Sequence, residues 1–294
     1  ELFRPSVDFI LTYKSYNSNM DYCVWLGLAA ISKAIDEPDY MHDAYERMIN
    51  YMANTMLFDG FFMETTLSYH NQSIGGIQRV AERMKGYSDP EGYISPLTGK
   101  RFDNLDPLKD FFLLEASVSM PEKLSYPDGR LLPLQDTWAN DRRKEKELCE
   151  DYEKSMLAPA AGVAKLAFGF KEKASQLYLM FTAKYGHEHL DPLNITFYAY
   201  GCEMLPDIGY NYTKYRSWSA STLAHNTVTV NSSDADYIEN SGHGGNIEVF
   251  EGSDPIVQII KASQNTAYSS AEEYSRELWR IATNRDSSDA GYIV

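Results

Sequence analysis

The chain reads as an α+β protein in which a helical half precedes a strand-rich half. Three observations predict this. Apolar residues recur at 3.6-residue spacing from residue 20 to about 156, short alternating runs take over after about 158, and clusters of Gly, Pro, Asn and Asp separate those runs. Helices followed by strands imply segregated layers or two domains, so the boundaries fall at 1–157 for a helical domain and 158–294 for antiparallel sheet.

Val24, Leu28, Ile31 and Ile35 form the first helical stripe, with Asn19 as N-cap and Pro38 beyond its end. Tyr45, Met48 and Met52 mark a second helix. Ile74, Ile77, Val80 and Met84 mark a third, where Gly75 and Gly76 either weaken the helix or signal close helix packing. Leu108, Phe111, Phe112 and Leu114 suggest a fourth, and the charged run 140–154 reads as an exposed helix or connector. Strands are expected at 175–183, 194–200, 226–231 and 246–250. Leu193, Ile195, Phe197 and Ala199 alternate with Asn194, Thr196, Tyr198 and Tyr200, the pattern of a sheet with one face buried. The sheet reads as an incomplete sandwich, and the last residues read as a strand cut short. With no initiator Met, the expectation is a piece of a longer protein.

Charge narrows the partners. Against 27 Lys and Arg stand 42 Asp and Glu, a net −15, which argues against nucleic acid or a membrane surface. No apolar run is long enough to cross a bilayer, so membrane insertion is not expected. The same charge repels a polyanion at long range, leaving Arg79, Arg83, Arg130, Lys214 and Arg216 as local groups to offset it. Cys23, Cys149 and Cys202 are odd in number and far apart, without a CxxC. They make neither a disulfide framework nor a thiolate zinc site and read as small buried residues.

The densest chemistry lies in 187–231, which holds His187, His189, Asp207 and His225 on segments that read as strands. Residues i and i+2 of a strand share a face, so His187 and His189 should project side by side. Imidazoles and a carboxylate from neighbouring strands suit a zinc ion; taken singly, each is as easily a satisfied polar residue on a half-exposed sheet. Glu64, Asp128 and Asp136 supply carboxylates for a glycoside hydrolase, although pairs are common in so acidic a chain.

The run Gly-His-Glu-His-Leu-Asp-Pro-Leu-Asn-Ile-Thr-Phe-Tyr-Ala-Tyr-Gly-Cys-Glu-Met-Leu-Pro-Asp-Ile-Gly-Tyr, followed by Ser-Thr-Leu-Ala-His-Asn-Thr-Val, resembles the heparinase II/III-like polysaccharide lyases, a group that includes oligoalginate lyases. The resemblance implies an incomplete (α/α) toroid joined to an antiparallel β-sandwich, in a protein much longer than this chain. It implies one structural zinc on His189, Asp207 and His225, with His187 facing the substrate. The segment Asp-Gly-Phe-Phe-Met-Glu-Thr-Thr-Leu-Ser-Tyr-His-Asn-Gln looks like the toroid segment that gives a polar catalytic residue. On that match His70, with Asn71 or Gln72, would contact the substrate carboxylate; the alternative for His70 is a helix-terminal residue without a ligand. Tyr126 is the expected catalytic tyrosine and Tyr69 the second choice. Some relatives carry Arg where this chain has Ser73, so that clamp is not expected.

The implied reaction is β-elimination from an anionic, uronic-acid-containing polysaccharide or oligosaccharide by a periplasmic or secreted enzyme. A poorly acidic C5 proton must leave beside a carboxylate, which calls for a neutral donor or cation at that carboxylate, a base, and an acid for O4. Alginate, heparan sulfate, hyaluronan and glucuronan all fit, and the net −15 leans toward less sulfated or short substrates. The alternatives are a glycoside hydrolase and a catalytically inactive, zinc-stabilised carbohydrate-binding module.

Overall fold

The computed structural model describes residues 2–12, 17–141, 154–169, 173–182, 186–237, 244–283 and 291–294. Two compact units emerge: residues 1–56 with 71–117, and residues 57–70 with 118–294.

The first unit is helical. It holds α1 (Phe3–Leu11), α2 (Tyr22–Ile35), α3 (Pro38–Thr55) and residues 71–84 of α4 (Leu67–Met84). Helix α2 begins after Asp21 rather than at an Asn19 cap, and it ends where Asp36 turns left-handed at φ 52°. Pro38 then opens α3, where its missing N–H costs nothing. Of the predicted stripes, Leu28, Met48, Met52, Ile74, Ile77, Val80 and Met84 are buried and Val24, Ile31, Ile35 and Tyr45 are half-buried, while Trp25 and Met41 join the core beside them. Gly76 settles the glycine question in favour of close packing: a Cβ there would come within 2.4 Å of the Tyr22 ring. The fourth helix starts later than expected. Residues 108–113 form turns, with Phe112 exposed, and α5 runs Leu114–Lys123.

The second unit contains two antiparallel sheets. The first has the order β1 (Met156–Ala158), β2 (Val163–Phe168), β3 (Ser175–Met180), β4 (Asn194–Ala199), β5 (Cys202–Leu205). The second has β6 (Asn246–Glu251), β7 (Val257–Ser263), β8 (Ser275–Ile281), β9 (Tyr292–Ile293). Alternation on β3 separates two cores. Leu177 and Leu179 join Ala164 and Leu166 of β2 with Ile260, Ala262 and Leu278 of the second sheet. Tyr178 and Met180 point the other way, onto Phe61, Leu67, Met120, Leu124, Tyr126 and Leu132. The first sheet is therefore covered on both faces, not one. On β4 the polar side (Asn194, Thr196, Tyr198) is the more buried, because it meets that second cluster and the site beyond it.

Two further expectations are corrected. Residues 226–231 are not a strand, because side chains take up the backbone groups a ladder would need: the Tyr274 hydroxyl donates to Val228 O at 2.5 Å. Cys23 and Cys202 are exposed rather than buried. Residues 142–153 of the charged run, with Cys149 among them, lie outside the described residues.

The β1–β2 turn depends on Gly162, at φ +75° with Phe181 O only 2.6 Å from where a Cβ would sit. Both obstacles, conformation and backbone, are rigid. Gly162→Ala should cost about 2 kcal/mol or more in urea unfolding, whereas Gly92→Ala, with open space around it, should show only the milder cost of its φ of +74°.

Candidate metal and acid–base site

The functional cluster sits in the second unit on loops rather than strands. His187 and His189 follow Gly186 in an irregular turn, with His187 at φ +53°. Asp207 follows β5, and His225 ends the short 3-10 turn Thr222–Ala224 that succeeds α6 (Arg216–Ser219). The side-by-side strand projection of His187 and His189 is thus replaced by something tighter: both reach the carboxylate of Asp136. Asp207 accepts Gly209 N–H at 2.8 Å through Oδ1. Gly209 itself, at φ +60°, lies so close to Thr137 O that a Cβ would come to 2.3 Å. The spacing Asp-Ile-Gly-Tyr therefore sets a candidate ligand and a backbone crossing in one turn.

Hydrogen bonds assign the histidine tautomers. His189 Nε2 lies 3.0 Å from Asp136 Oδ1, which can only accept, and 3.0 Å from Arg216 Nη1, which already donates to that same oxygen; with Arg216 spent on the carboxylate, the proton is assigned to Nε2. His225 Nδ1 donates to Ser221 O at 2.8 Å, so its proton is on Nδ1. The remaining nitrogens, His189 Nδ1 and His225 Nε2, then turn lone pairs on one another at 3.0 Å. Asp207 Oδ2 stands 3.8 Å from His225 Nε2, and ligand atoms of all three residues lie within 4.8 Å of one another. Such a meeting of acceptors requires a cation or a proton between them. Tetrahedral zinc with bonds near 2.05 Å would hold two nitrogens about 3.3 Å apart, close to the separation here. The donor set fits a metal, and each histidine has the outer partner that metal-binding histidines use.

A buried polar frame fixes these groups. Gln135, held left-handed at φ +52°, accepts His189 N–H and donates to Thr182 Oγ1 and Asp191 Oδ1 at 2.9 and 2.8 Å. Asn194 donates to Asp207 Oδ2 at 2.6 Å and accepts Asn226 N–H at 3.0 Å. Burial pushes the Asp191 carboxyl above its ordinary range, partly opposed by His225 and His189. Arg276 reaches in from β8, donating to Leu193 O and Asn226 O at 2.6 and 2.8 Å.

On the outer side, His187 Nδ1 donates to Asp136 Oδ2 at 3.2 Å, which leaves its Nε2 lone pair toward solvent and Glu64, 3.9 Å away. The His187 side chain is 34% exposed, while that of His189 is fully buried. Tyr69 stacks on His187 with ring centroids 3.7 Å apart. Burial, with help from Tyr210, Asp136 and Glu64, pushes the Tyr69 phenol up to about 12, so it is protonated at neutral pH. Burial likewise raises the Glu64 carboxyl, against the pull of His187. Arg216 grips both oxygens of Asp136, with Nη2 at 2.9 Å from Oδ2, and keeps part of its guanidinium exposed.

The remaining expected residues lie elsewhere. Tyr126 is 0% exposed, stacked on Tyr198 at 5.2 Å and edge-on to Tyr178 at 5.9 Å, and burial holds its phenol far above the usual range. A ring so enclosed has no surface to offer a sugar, which corrects the first choice of tyrosine. His70 is also wholly buried and accepts Phe62 N–H through Nδ1 at 3.1 Å, so it braces its own loop instead of facing a groove with His187. Asn71 is exposed and belongs to the first unit, where Gln72 contacts Met20 and buried Ser73 accepts from Tyr51 at 3.2 Å. The sequence offers Asp136 and Glu64 only as generic carboxylates and Asn194 only as the polar side of a strand, and it singles out neither Gln135 nor Asp191, although Asp191 and Asn194 both lie inside the family-like run that begins at Gly186.

Residues 156–287 match the family profile described as Heparinase II/III-like, C-terminal. Among solved structures, a crystal structure of heparinase III aligns at a TM-score of 0.72 with 15% identity, over 93% of this chain and 47% of that one. A second heparinase III gives 0.72 and 16% over 98% and 46%, and the heparan sulfate lyase of Pedobacter heparinus gives 0.65 and 14% over 94% and 46%. No curated protein sequence matches. Residues 156–287 are thus similar to the C-terminal part of the heparinase II/III-like family, and the chain shares its fold with these solved structures. It spans a little under half the length of each of these solved relatives.

If the three lone-pair donors hold a metal, protein purified without chelator should carry about one zinc per chain by elemental analysis. Restoring zinc to stripped protein at a hundredfold excess over Kd should add about 2.7 kcal/mol of stability. His225→Ala should lose both the metal and that increment; equal stability of stripped and loaded protein would contradict the assignment.

Proposed function

We propose that the complete protein is a polysaccharide lyase that cleaves a uronic-acid-containing polysaccharide or oligosaccharide by β-elimination. The observation that carries this reading is the stack of Tyr69 on His187 beside the His189–Asp207–His225 cluster, with Asp136 holding His187 in one tautomer. In this reading zinc on His189, Asp207 and His225 is structural: when bound, it ties together the turn that carries His187 and the loops after β5 and α6. Helices α1–α5 are then part of an (α/α) toroid, as the alignment with longer heparinases supports. Secretion or a periplasmic location goes with the same reading.

The chemistry follows from the tautomers. In its neutral form, with Nδ1–H given to Asp136, His187 presents an Nε2 lone pair that takes the C5 proton. The electron pair left at C5 forms the C4–C5 double bond as the C4–O4 bond breaks. Tyr69, kept as a neutral phenol, gives its proton to departing O4. The exposed edge of Arg216 is the cation beside these rings that can face the uronate carboxylate, the role first expected of His70 and Asn71. A hydrolase reading is weakened because Asp136 is saturated by Arg216, His187 and His189 and so is not poised as an acid or a nucleophile.

Incubating the complete protein with a panel of uronic-acid polymers should yield an unsaturated product absorbing in the near ultraviolet. His187→Ala and Tyr69→Phe should each lower turnover by on the order of a hundredfold or more, with zinc content retained. Tyr126→Phe should keep turnover within a few-fold. Full activity of Tyr69→Phe would overturn the tyrosine assignment, and a saturated product would overturn the lyase.

A further inference from the structure

Beside the acid–base pair the surface carries a row of aromatic rings that the elimination does not use. We propose that Trp138, Tyr210 and Tyr212 form a stacking subsite for the sugar ring adjoining the uronate held at His187 and Tyr69; this rests on the lyase reading. The row is built by the backbone. Residues 137–138 pair with 209–210 through a Trp138–Gly209 bridge and a hydrogen bond from Tyr210 N–H to Thr137 O at 2.9 Å. Trp138 stands two residues after Asp136, the carboxylate that holds His187. Tyr210 lies edge-on to Trp138 with centroids 4.5 Å apart, and Tyr212 follows Tyr210 at 6.2 Å.

The row is continuous with the reacting groups. Tyr210 is among the groups that, after burial, push the Tyr69 phenol up, and the Arg216 guanidinium lies 5.4 Å from the Tyr210 ring centroid while it grips Asp136. Trp138 is 45% and Tyr212 81% exposed, which is far more than these rings show when they serve a core. The occupant follows from charge. A chain of net −15 repels a polyanion, so affinity for one must come from contacts that do not depend on net charge. The apolar C–H face of a pyranose laid on an aromatic ring is such a contact, and Arg216 among the rings supplies the local cation for its acidic group.

The test uses the complete protein and oligosaccharides of increasing length from the polymer it degrades. Trp138→Ala and Tyr212→Ala should each raise KM for a tetrasaccharide by about tenfold, the equivalent of about 1.4 kcal/mol, with a much smaller effect on kcat. Trp138→Phe should restore most of the loss, and the effect should shrink for a disaccharide too short to reach the row. Sugar should also produce a saturable change in tryptophan fluorescence that Trp138→Phe removes. Should no polymer yield an unsaturated product, the lyase reading fails, yet this fluorescence titration with the same oligosaccharides still decides the subsite. Unchanged KM in both alanine variants, a loss confined to kcat, or Trp138 shielded from a soluble quencher in sugar-free protein by another segment or a second copy would each overturn it.

Discussion

The site depends on one buried carboxylate. Asp136, with a side chain only 2% exposed, accepts from Arg216 at both oxygens and from one nitrogen each of His187 and His189. A charge out of water is tolerated only when paired and hydrogen-bonded, and here the pairing does more than neutralise it. By taking Nε2–H from His189 it leaves Nδ1 as the nitrogen that would hold a metal. By taking Nδ1–H from His187 it leaves Nε2 as the nitrogen that would accept a proton in the proposed elimination. One anion thus sets opposite tautomers on two histidines two residues apart, which a regular strand could not allow. The left-handed turn at His187 and the strained Gln135 beside Asp136 are the backbone cost of that arrangement.

The fold supplies the frame for this loop cluster. A sheet covered on both faces gives a rigid floor, and the polar side of β4 sends Asn194 up to hold Asp207. From the second sheet, Arg276 and Tyr274 reach across to the segment after His225. The candidate metal ligands and the proposed acid–base groups therefore sit on loops to which both sheets contribute.

What was legible in the sequence was what repeats locally. The stripe of α4 lies on the predicted residues and that of α3 largely does, because helical spacing reflects burial, whereas α2 buries Trp25, Leu28, Ala29 and Ser32 and leaves Val24, Ile31 and Ile35 half-buried. The spacing of His189, Asp207 and His225 was legible too, since a short block of motif supplies all three and the structure brings them together. Asp136 was hidden because it lies 51 residues from His187 and is one of 42 acidic residues. Tyr126 and Tyr69 are chemically alike in sequence, and only burial against stacking on His187 separates them. Residues 226–231 misled through their β-branched alternation, which long-range side-chain bonds such as Tyr274 to Val228 O override.

The central claim is that Asp136 serves the metal and the chemistry at once, and the zinc affinity of Asp136→Asn in the complete protein tests it most directly. An amide keeps the shape but can no longer require a proton on both facing nitrogens. Competition with a chromogenic chelator should show zinc bound about 10- to 100-fold more weakly than in the parent, with turnover falling in the same variant. Parental zinc affinity in a folded Asp136→Asn protein would contradict the account.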